Sequence, residues 1–187
     1  KILIDGIDIR DVTQHDLHEK IGYVPQKGSL FSGTIESNLK IGKVDATKEE
    51  LIAAVKTSQA LDFIFKKSKK FATEIAQGGN NVSGGQKQRL SIARALIKKP
   101  EIYIFDDTFS ALDFKTDALL RKALKEDIKE STILIVAQRI NTIMNANQII
   151  VLENGEIVGK GTHEELMKDC TVYQEIALSQ LSKEELA

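Results

Sequence analysis

The sequence predicts an α/β fold with a mostly parallel sheet, and three neighbouring features carry that prediction. A basic amphipathic helix spans residues 83–100 and is stopped by Pro100. An apolar run at residues 102–105 follows it and is typical of a short buried strand. Two carboxylates, Asp106 and Asp107, come directly after that run, at the strand edge where open α/β sheets bind their ligands.

The first part of the chain alternates strand signals with turns. The predicted elements are, in order, a strand at 1–4, a tight turn at Asp5-Gly6, a strand at 7–9, a helix at 13–20 and a strand at 21–24. Pro25 ends the last of these strands and places Gln26 in a loop. Residues 45–71 are predicted to be helical because Thr47 and Glu50 match a capping box and the residues that follow them share one face.

The last part of the chain continues the α/β pattern. The predicted elements are a helix at 115–127, a buried strand at 132–136, a helix at 140–145, strands at 148–152 and 157–159 joined by Asn154-Gly155, and a helix at 171–181. In the first of these helices we expect four residues to face inward: Ala118, Leu119, Ala123 and Leu124.

Composition limits the function classes. With 187 residues and 42% apolar content, the chain fits one domain or a large piece of one. A net charge of −1 gives no basic footprint, so we predict no nucleic-acid partner. The lone Cys170 excludes an internal disulfide, and no apolar run approaches the ~18 residues of a membrane span. Because residue 1 is not a methionine, we expect the chain to be part of something longer.

The start of the basic helix predicts a phosphate site. Ser83, Gly84, Gly85 and Gln86 occupy its first turn, where backbone N–H groups lack intrahelical acceptors and the helix dipole is positive. A phosphate site followed within about thirty residues by a strand and paired carboxylates indicates nucleotide chemistry.

The stretch from Asn81 to Asp113 resembles the ABC ATPase family. VSGGQ is similar to the LSGGQ signature, IYIFDD to the Walker B strand, and SALD to the D-loop. The resemblance implies a P-loop NTPase fold with a RecA-like, mostly parallel sheet core and a helical subdomain. It also implies ATP and Mg²⁺ as cofactors. The expected division of the chain is residues 1–32, the end of a β-subdomain and the Q-loop; 33–100, the helical subdomain; and 101–187, the core.

The resemblance assigns each candidate site residue a role. Asp106 supports Mg²⁺ through its water shell, Asp107 stands at the general-base position, and Gln26 is the Q-loop glutamine that ligates Mg²⁺ or orients water. Gln138 stands where the family carries its switch histidine. Residues 83–86 act on the ATP held by the P-loop of a partner domain, and Asp113 of the D-loop couples the two sites.

This chain departs from the family pattern at three points. No G-x-x-x-x-G-K-[ST] occurs in the 187 residues, and we expect the P-loop to lie upstream of Lys1. Asp107 replaces the family's glutamate and is shorter by one carbon–carbon bond, about 1.5 Å. Gln138 can hydrogen-bond a γ-phosphate but carries no positive charge. Since the signature is intact, the sequence predicts the subunit with the degenerate site of a heterodimer.

FSGTIESNL and GTHEEL resemble exporter segments. The resemblance therefore implies a second nucleotide-binding domain and the coupling helices of a transmembrane domain as partners, at the cytoplasmic face of the cell membrane. Three alternatives stay open: an active homodimeric exporter, a regulatory subunit that binds ATP without hydrolysis, and a soluble ABC protein of translation or DNA repair. The substrate is not predicted by any residue of the chain.

Overall fold

A computed structural model of the chain describes residues 1–181, and the chain divides into two compact units, Lys1–Val136 and Ala137–Ala187. The first unit opens with a small antiparallel hairpin of β1 (Leu3–Ile4) and β2 (Ile7–Asp8). Asp5 and Gly6 turn it with φ angles of 49° and 82°, as predicted. Helix α1 (Gln14–Lys20) then begins at Thr13, which accepts a hydrogen bond from the Asp16 N–H, and leads directly into β3 (Ile21–Val24).

The segment from residue 33 to residue 100 is mainly helical. Its elements are, in chain order, β4 (Gly33–Thr34), α2 (Ile35–Lys40), α3 (Lys48–Thr57), α4 (Leu61–Phe65), β5 (Glu74–Ile75) and α5 (Gly84–Lys98). The capping box of Thr47 and Glu50 at the start of α3 is confirmed. The segment 45–71, predicted to be helical, contains two α-helices and a 3₁₀ turn. The chain leaves helical geometry at Gln59, whose φ is 59°, and ends the segment in a 3₁₀ turn.

Three parallel strands form the largest sheet of the first unit: β3, β6 (Ile102–Asp106) and β7 (Thr132–Val136), with helix α6 (Phe114–Asp127) between the last two in sequence. β6 lies in the middle, and Val24 is paired with Phe105. Because parallel strands end at the same sheet edge, residues that follow β3 lie beside residues that follow β6. The fold therefore brings the segments after residues 24 and 106 together.

Helix α5 is central to the core of this unit. Its predicted apolar residues, Leu90, Ile92, Ala93, Leu96 and Ile97, are all buried. The helix ends at Lys99, which adopts a left-handed conformation with φ of 52° directly before Pro100. Tyr103 and Phe105 of β6 stack with a centroid distance of 6.0 Å under this helix layer. Helix α5 therefore packs its buried face against the centre of the sheet.

Two predictions of burial are wrong. β7 is a strand at the sheet edge within residues 1–181, but Leu134 and Val136 are each about half exposed, so this run is not buried as predicted. On α6, Leu120 and Leu124 are buried while Leu119 is 47% exposed. Ala118 is exposed as well, since the buried face follows the spacing 117, 120 and 124.

The second unit has its own core, formed by α7 (Ile140–Ile143), β8 (Ile149–Glu153), β9 (Glu156–Gly161), α8 (His163–Asp169) and α9 (Thr171–Gln180). β8 and β9 form an antiparallel hairpin whose turn, Asn154-Gly155, has φ angles of 51° and 84°, as predicted. Thr162 and Glu165 form a capping box that starts α8. No helix within residues 1–181 is long and apolar enough to cross a membrane.

Candidate functional site

The structure brings Gln26 and Asp107 into contact at the carboxyl edge of the sheet. The side-chain Nε2 of Gln26 donates a hydrogen bond to Oδ2 of Asp107 over 3.1 Å. The two residues are 81 positions apart in sequence, and the pairing of β3 with β6 places both just beyond the ends of neighbouring strands. Asp106, the last residue of β6, belongs to the same edge.

Asp107 is held in an unusual backbone conformation. Its φ is 41° and ψ is 32°, in the left-handed region, where aspartate is tolerated better than most residues with a side chain. Its N–H donates to the carbonyl of Val136 over 2.9 Å, and its side chain is buried. The end of β7 thus fixes the backbone from which the Asp107 carboxylate reaches Gln26.

Asp106 has a hydrogen-bond donor that the sequence did not reveal. The hydroxyl of Tyr23 donates to Oδ2 of Asp106 over 3.0 Å, and this hydrogen bond raises the pKa of Tyr23. Tyr23 lies beside Ile104 in the register of β3 and β6, so its side chain shares the sheet face of Asp106. Strand register was the missing signal, because the sequence alone does not align the two strands.

The donor chemistry of this edge fits Mg²⁺. Mg²⁺ prefers oxygen ligands, keeps several waters, and is held through one or two carboxylates together with substrate phosphates. Asp106 offers the carboxylate, and the amide of Gln26 presents its oxygen opposite the nitrogen that donates to Asp107. Water and the phosphates of a nucleotide would supply the remaining ligands of such an ion.

The first turn of α5 is closed by a capping box. Ser83 Oγ accepts from the Gln86 N–H over 3.3 Å, and Gln86 Oε1 accepts from the Ser83 N–H over 3.1 Å. Two of the N–H groups that we expected to face a phosphate are therefore used within the turn. The N–H groups of Gly84 and Gly85 lie between them, and a Cβ at Gly84 would meet no atom within 4 Å. The Ser-x-x-Gln spacing was a readable signal of this cap.

The D-loop lies against the signature turn. A Cβ at Gly85 would be 3.5 Å from the carbonyl oxygen of Ala111. Asp113 caps α6, since its Oδ1 accepts from the Thr116 N–H over 2.9 Å and its Oδ2 from the Thr116 hydroxyl over 2.7 Å. These hydrogen bonds lower the pKa of Asp113. The capping role is observed, and the coupling role of Asp113 stays a prediction.

Gln138 lies at the beginning of the second unit. Its main-chain carbonyl accepts a hydrogen bond from Gln180 Nε2 over 2.8 Å, and Gln180 Oε1 accepts from the Ile140 N–H over 2.9 Å. α9 therefore fixes the backbone at the position that the sequence assigns to the switch residue. The catalytic role of Gln138 and the division of the chain at residues 32 and 100 stay predictions.

Comparison with known proteins gives consistent results. The sequence profile of the ABC transporter family matches residues 1–110. An uncharacterized ABC transporter ATP-binding protein of Mycobacterium tuberculosis is 47% identical over 96% of this chain, and a β-(1→2)glucan export ATP-binding/permease protein of Rhodopseudomonas palustris is 44% identical over 100% of it. The chain covers 31% of the length of each.

A solved structure of a bacterial Atm1-family ABC exporter with ATP bound is similar to this chain as well. It aligns with a TM-score of 0.93 and 36% identity, over 97% of this chain and 32% of its own length. The family profile covers more than half of the chain, and the parallel sheet, the signature turn and the paired carboxylates agree with it. The chain therefore belongs to the ABC transporter family, as part of its ATP-binding domain.

Proposed function

We propose that this chain is part of the nucleotide-binding domain of an ABC exporter, in which ATP-driven dimerisation and hydrolysis power export. The contact between Gln26 and Asp107, beside Asp106, is the observation that supports the proposal most strongly. It brings together, on a single sheet edge, an amide and an acid that a nucleotide site needs. The similarity to an exporter structure with ATP bound supports the same function.

The proposal gives each residue of that edge a task. Asp106 would hold Mg²⁺ through its water shell, oriented by the hydroxyl of Tyr23. Gln26 would present its amide oxygen to the ion or to the attacking water. Bound Mg²⁺ supplies neutralisation of the charge that develops on the β- and γ-phosphates.

We propose further that this subunit's own hydrolytic site is weak. A general base must reach the attacking water within hydrogen-bond distance, and a misplacement of about 1 Å costs up to about a hundredfold in rate. The Asp107 carboxylate is one methylene shorter than glutamate, and in this structure it accepts from Gln26. Gln138 adds no positive charge at the switch position. We propose that each departure acts against hydrolysis.

The signature residues support an asymmetric pair. Ser83, Gly84, Gly85 and Gln86 keep the family pattern, and in the family's head-to-tail dimer a signature acts on the ATP held by the partner's P-loop. The partner that we propose is a second, non-identical nucleotide-binding domain. Each domain would be joined to a transmembrane domain with coupling helices, at the cytoplasmic face of the membrane.

Restoring the family's glutamate at position 107 and histidine at position 138 tests this proposal. In the assembled heterodimer, the double variant Asp107→Glu with Gln138→His should raise single-turnover hydrolysis at this subunit's own site by about ten- to a hundredfold. The matched control is Asp107→Asn, which keeps the side-chain size but offers no base and should bring no gain. Unchanged turnover in the double variant would contradict the degenerate-site account and favour an active homodimer or a purely regulatory site.

A further inference from the structure

Gln88 is an almost fully buried polar residue on α5 that the proposed mechanism does not use, with 1% of its surface exposed. Its side-chain amide contacts the backbone on both sides of Gln26. Gln88 Nε2 donates to the carbonyl of Pro25 over 3.0 Å, and Gln88 Oε1 accepts from the Gly28 N–H over 2.9 Å. A single side chain therefore satisfies two backbone groups of the Q-loop (residues 25–32), one before and one after the glutamine.

Gly28 fits this contact because it lacks a side chain. A Cβ at Gly28 would be 2.9 Å from Gln88 Oε1 and 3.0 Å from both the backbone carbon of Lys87 and the hydroxyl of Ser91. The Q-loop backbone thus lies directly on α5, at a distance that no larger residue permits without movement. The Ser91 hydroxyl is buried there and has no hydrogen-bond partner among the described residues.

Arg94 extends the contact along the same helix. Its Nη1 donates to the carbonyl of Ser29 over 3.0 Å, and its Nη2 donates to Oδ1 of Asn38 over 3.0 Å. Asn38 in turn accepts from the Phe31 N–H over 2.9 Å and donates to the Phe31 carbonyl over 2.8 Å. Gln88, Ser91 and Arg94 are spaced three residues apart, so the loop follows a single stripe of α5.

We propose that Gln88 is a positioning residue for Gln26: its amide clamps the Q-loop to the signature helix, so that the two move as one body. Gln88 lies two residues after Gln86 and less than two helical turns from Ser83, so a shift of the signature turn is passed to Pro25 and Gly28 through α5. One consequence rests on the proposed function. ATP bound against this signature turn would control the position of Gln26 in this subunit's own site.

Hydrogen exchange at the Gly28 amide tests the clamp without any assumption about activity. In the full-length protein, resolved to single residues by mass spectrometry, Gln88→Met should increase Gly28 exchange about three- to tenfold, because methionine keeps the volume and loses both hydrogen bonds. Gln88→Glu keeps an acceptor for Gly28 and should retain most of the protection. Gly28 exchange in Gln88→Met equal to that of the wild type would overturn the clamp.

Two further variants separate the clamp from general loosening. Ser91→Ala is the matched control: it lies on the same stripe beside Gly28 but makes no hydrogen bond, so exchange should stay within twofold of wild type. In Gly28→Ala, the added Cβ should displace Gln88 Oε1 from the loop and so break the same contact from the side of the loop. The effects of Gly28→Ala and Gln88→Met on exchange should be clearly less than additive, since both break one contact. Full additivity would count against a shared contact.

The positioning role is read from single-turnover hydrolysis of ATP at this subunit's own site in the assembled complex. Gln88→Met should lower that rate about tenfold while nucleotide affinity at the same site changes less than twofold, and Gln88→Glu should recover part of the rate. Loss of Gly28 protection together with an own-site rate equal to that of Ser91→Ala would overturn the positioning role. A wild-type complex without ATPase activity would instead overturn the proposed function, which the exchange measurement does not assume.

Discussion

Ser83→Ala tests the role of the signature turn, and its effect on stability follows from the capping box. The substitution removes the 3.3 Å hydrogen bond from the Gln86 N–H to Ser83 Oγ at the start of α5. Loss of an N-cap of this kind costs about 1 kcal/mol in free energy of unfolding. With a urea m-value of about 2 kcal/mol/M for a chain of this size, the unfolding midpoint should fall by about 0.5 M.

The effect on activity should be unequal between the two sites of the dimer. Under the proposed function, the Ser83 hydroxyl and the Gly84 and Gly85 amides would contact the partner's nucleotide, and a Cβ at Gly84 would meet no atom within 4 Å. Removing one donor aimed at a transferring phosphate costs about a hundredfold in kcat. We expect this loss at the partner's site, while nucleotide retention at this subunit's own site changes less than threefold.

Two substitutions at the same position separate capping from phosphate contact. Ser83→Asp should keep α5 capped and stable but place a negative charge against the partner's γ-phosphate, so turnover falls while the urea midpoint holds. Ser83→Thr should retain both the urea midpoint and the turnover. Site-resolved single-turnover hydrolysis is the assay. Equal losses at both sites in Ser83→Ala, or wild-type turnover in Ser83→Asp, would contradict a contact between Ser83 and the partner's nucleotide.

Three other predictions concern packing, pH and affinity. Gly42→Ala should lower the free energy of unfolding by about 1–3 kcal/mol in urea titrations, because its Cβ would lie 2.2 Å from the Arg94 carbonyl oxygen. A free energy of unfolding equal to that of the wild type would show that the backbone at Gly42 moves away without cost. Burial raises the pKa of Tyr103 to about 12, above its unfolded value of about 10, so stability should be full below pH 10 and fall by about 2 kcal/mol toward pH 12. Tyr103→Phe should remove that fall in pH-dependent urea melts, and a parallel decline in both proteins would contradict it. The 187-residue chain, which has no G-x-x-x-x-G-K-[ST], should bind Mg-ATP at best with a millimolar Kd, and a micromolar Kd in calorimetry would disagree.

The sequence predicted the elements whose signals are local. Hydrophobic periodicity predicted α5 correctly, and the capping signals at Thr13 and Thr47 predicted two helix starts. Asn154-Gly155 was enough to place a hairpin. Burial was less predictable, because it depends on what covers an element. The apolar run of β7 has the composition of an inner strand, yet it lies at the sheet edge within the described residues.

The site was predictable in its residue types and less so in its contacts. Asp106, Asp107 and Gln26 follow strands, which the sequence indicated, but only the register of β3 and β6 brings Gln26 to Asp107 and Tyr23 to Asp106. Gln88 gave no signal at all. A glutamine among basic and apolar helix residues resembles a solvated position, and its burial follows from a loop that returns to the helix from 60 residues away.

We propose that this subunit's own site retains ATP while its partner's site hydrolyses it. The most direct measurement is photolabelling of the assembled transporter with azido-ATP that carries radioactive γ-phosphate, followed by separation of the two polypeptides. After a few turnovers, we predict that γ-label persists on the subunit that contains Asp107 and Gln138 and has disappeared from its partner. Loss of the γ-label from both subunits at the same rate would contradict the account.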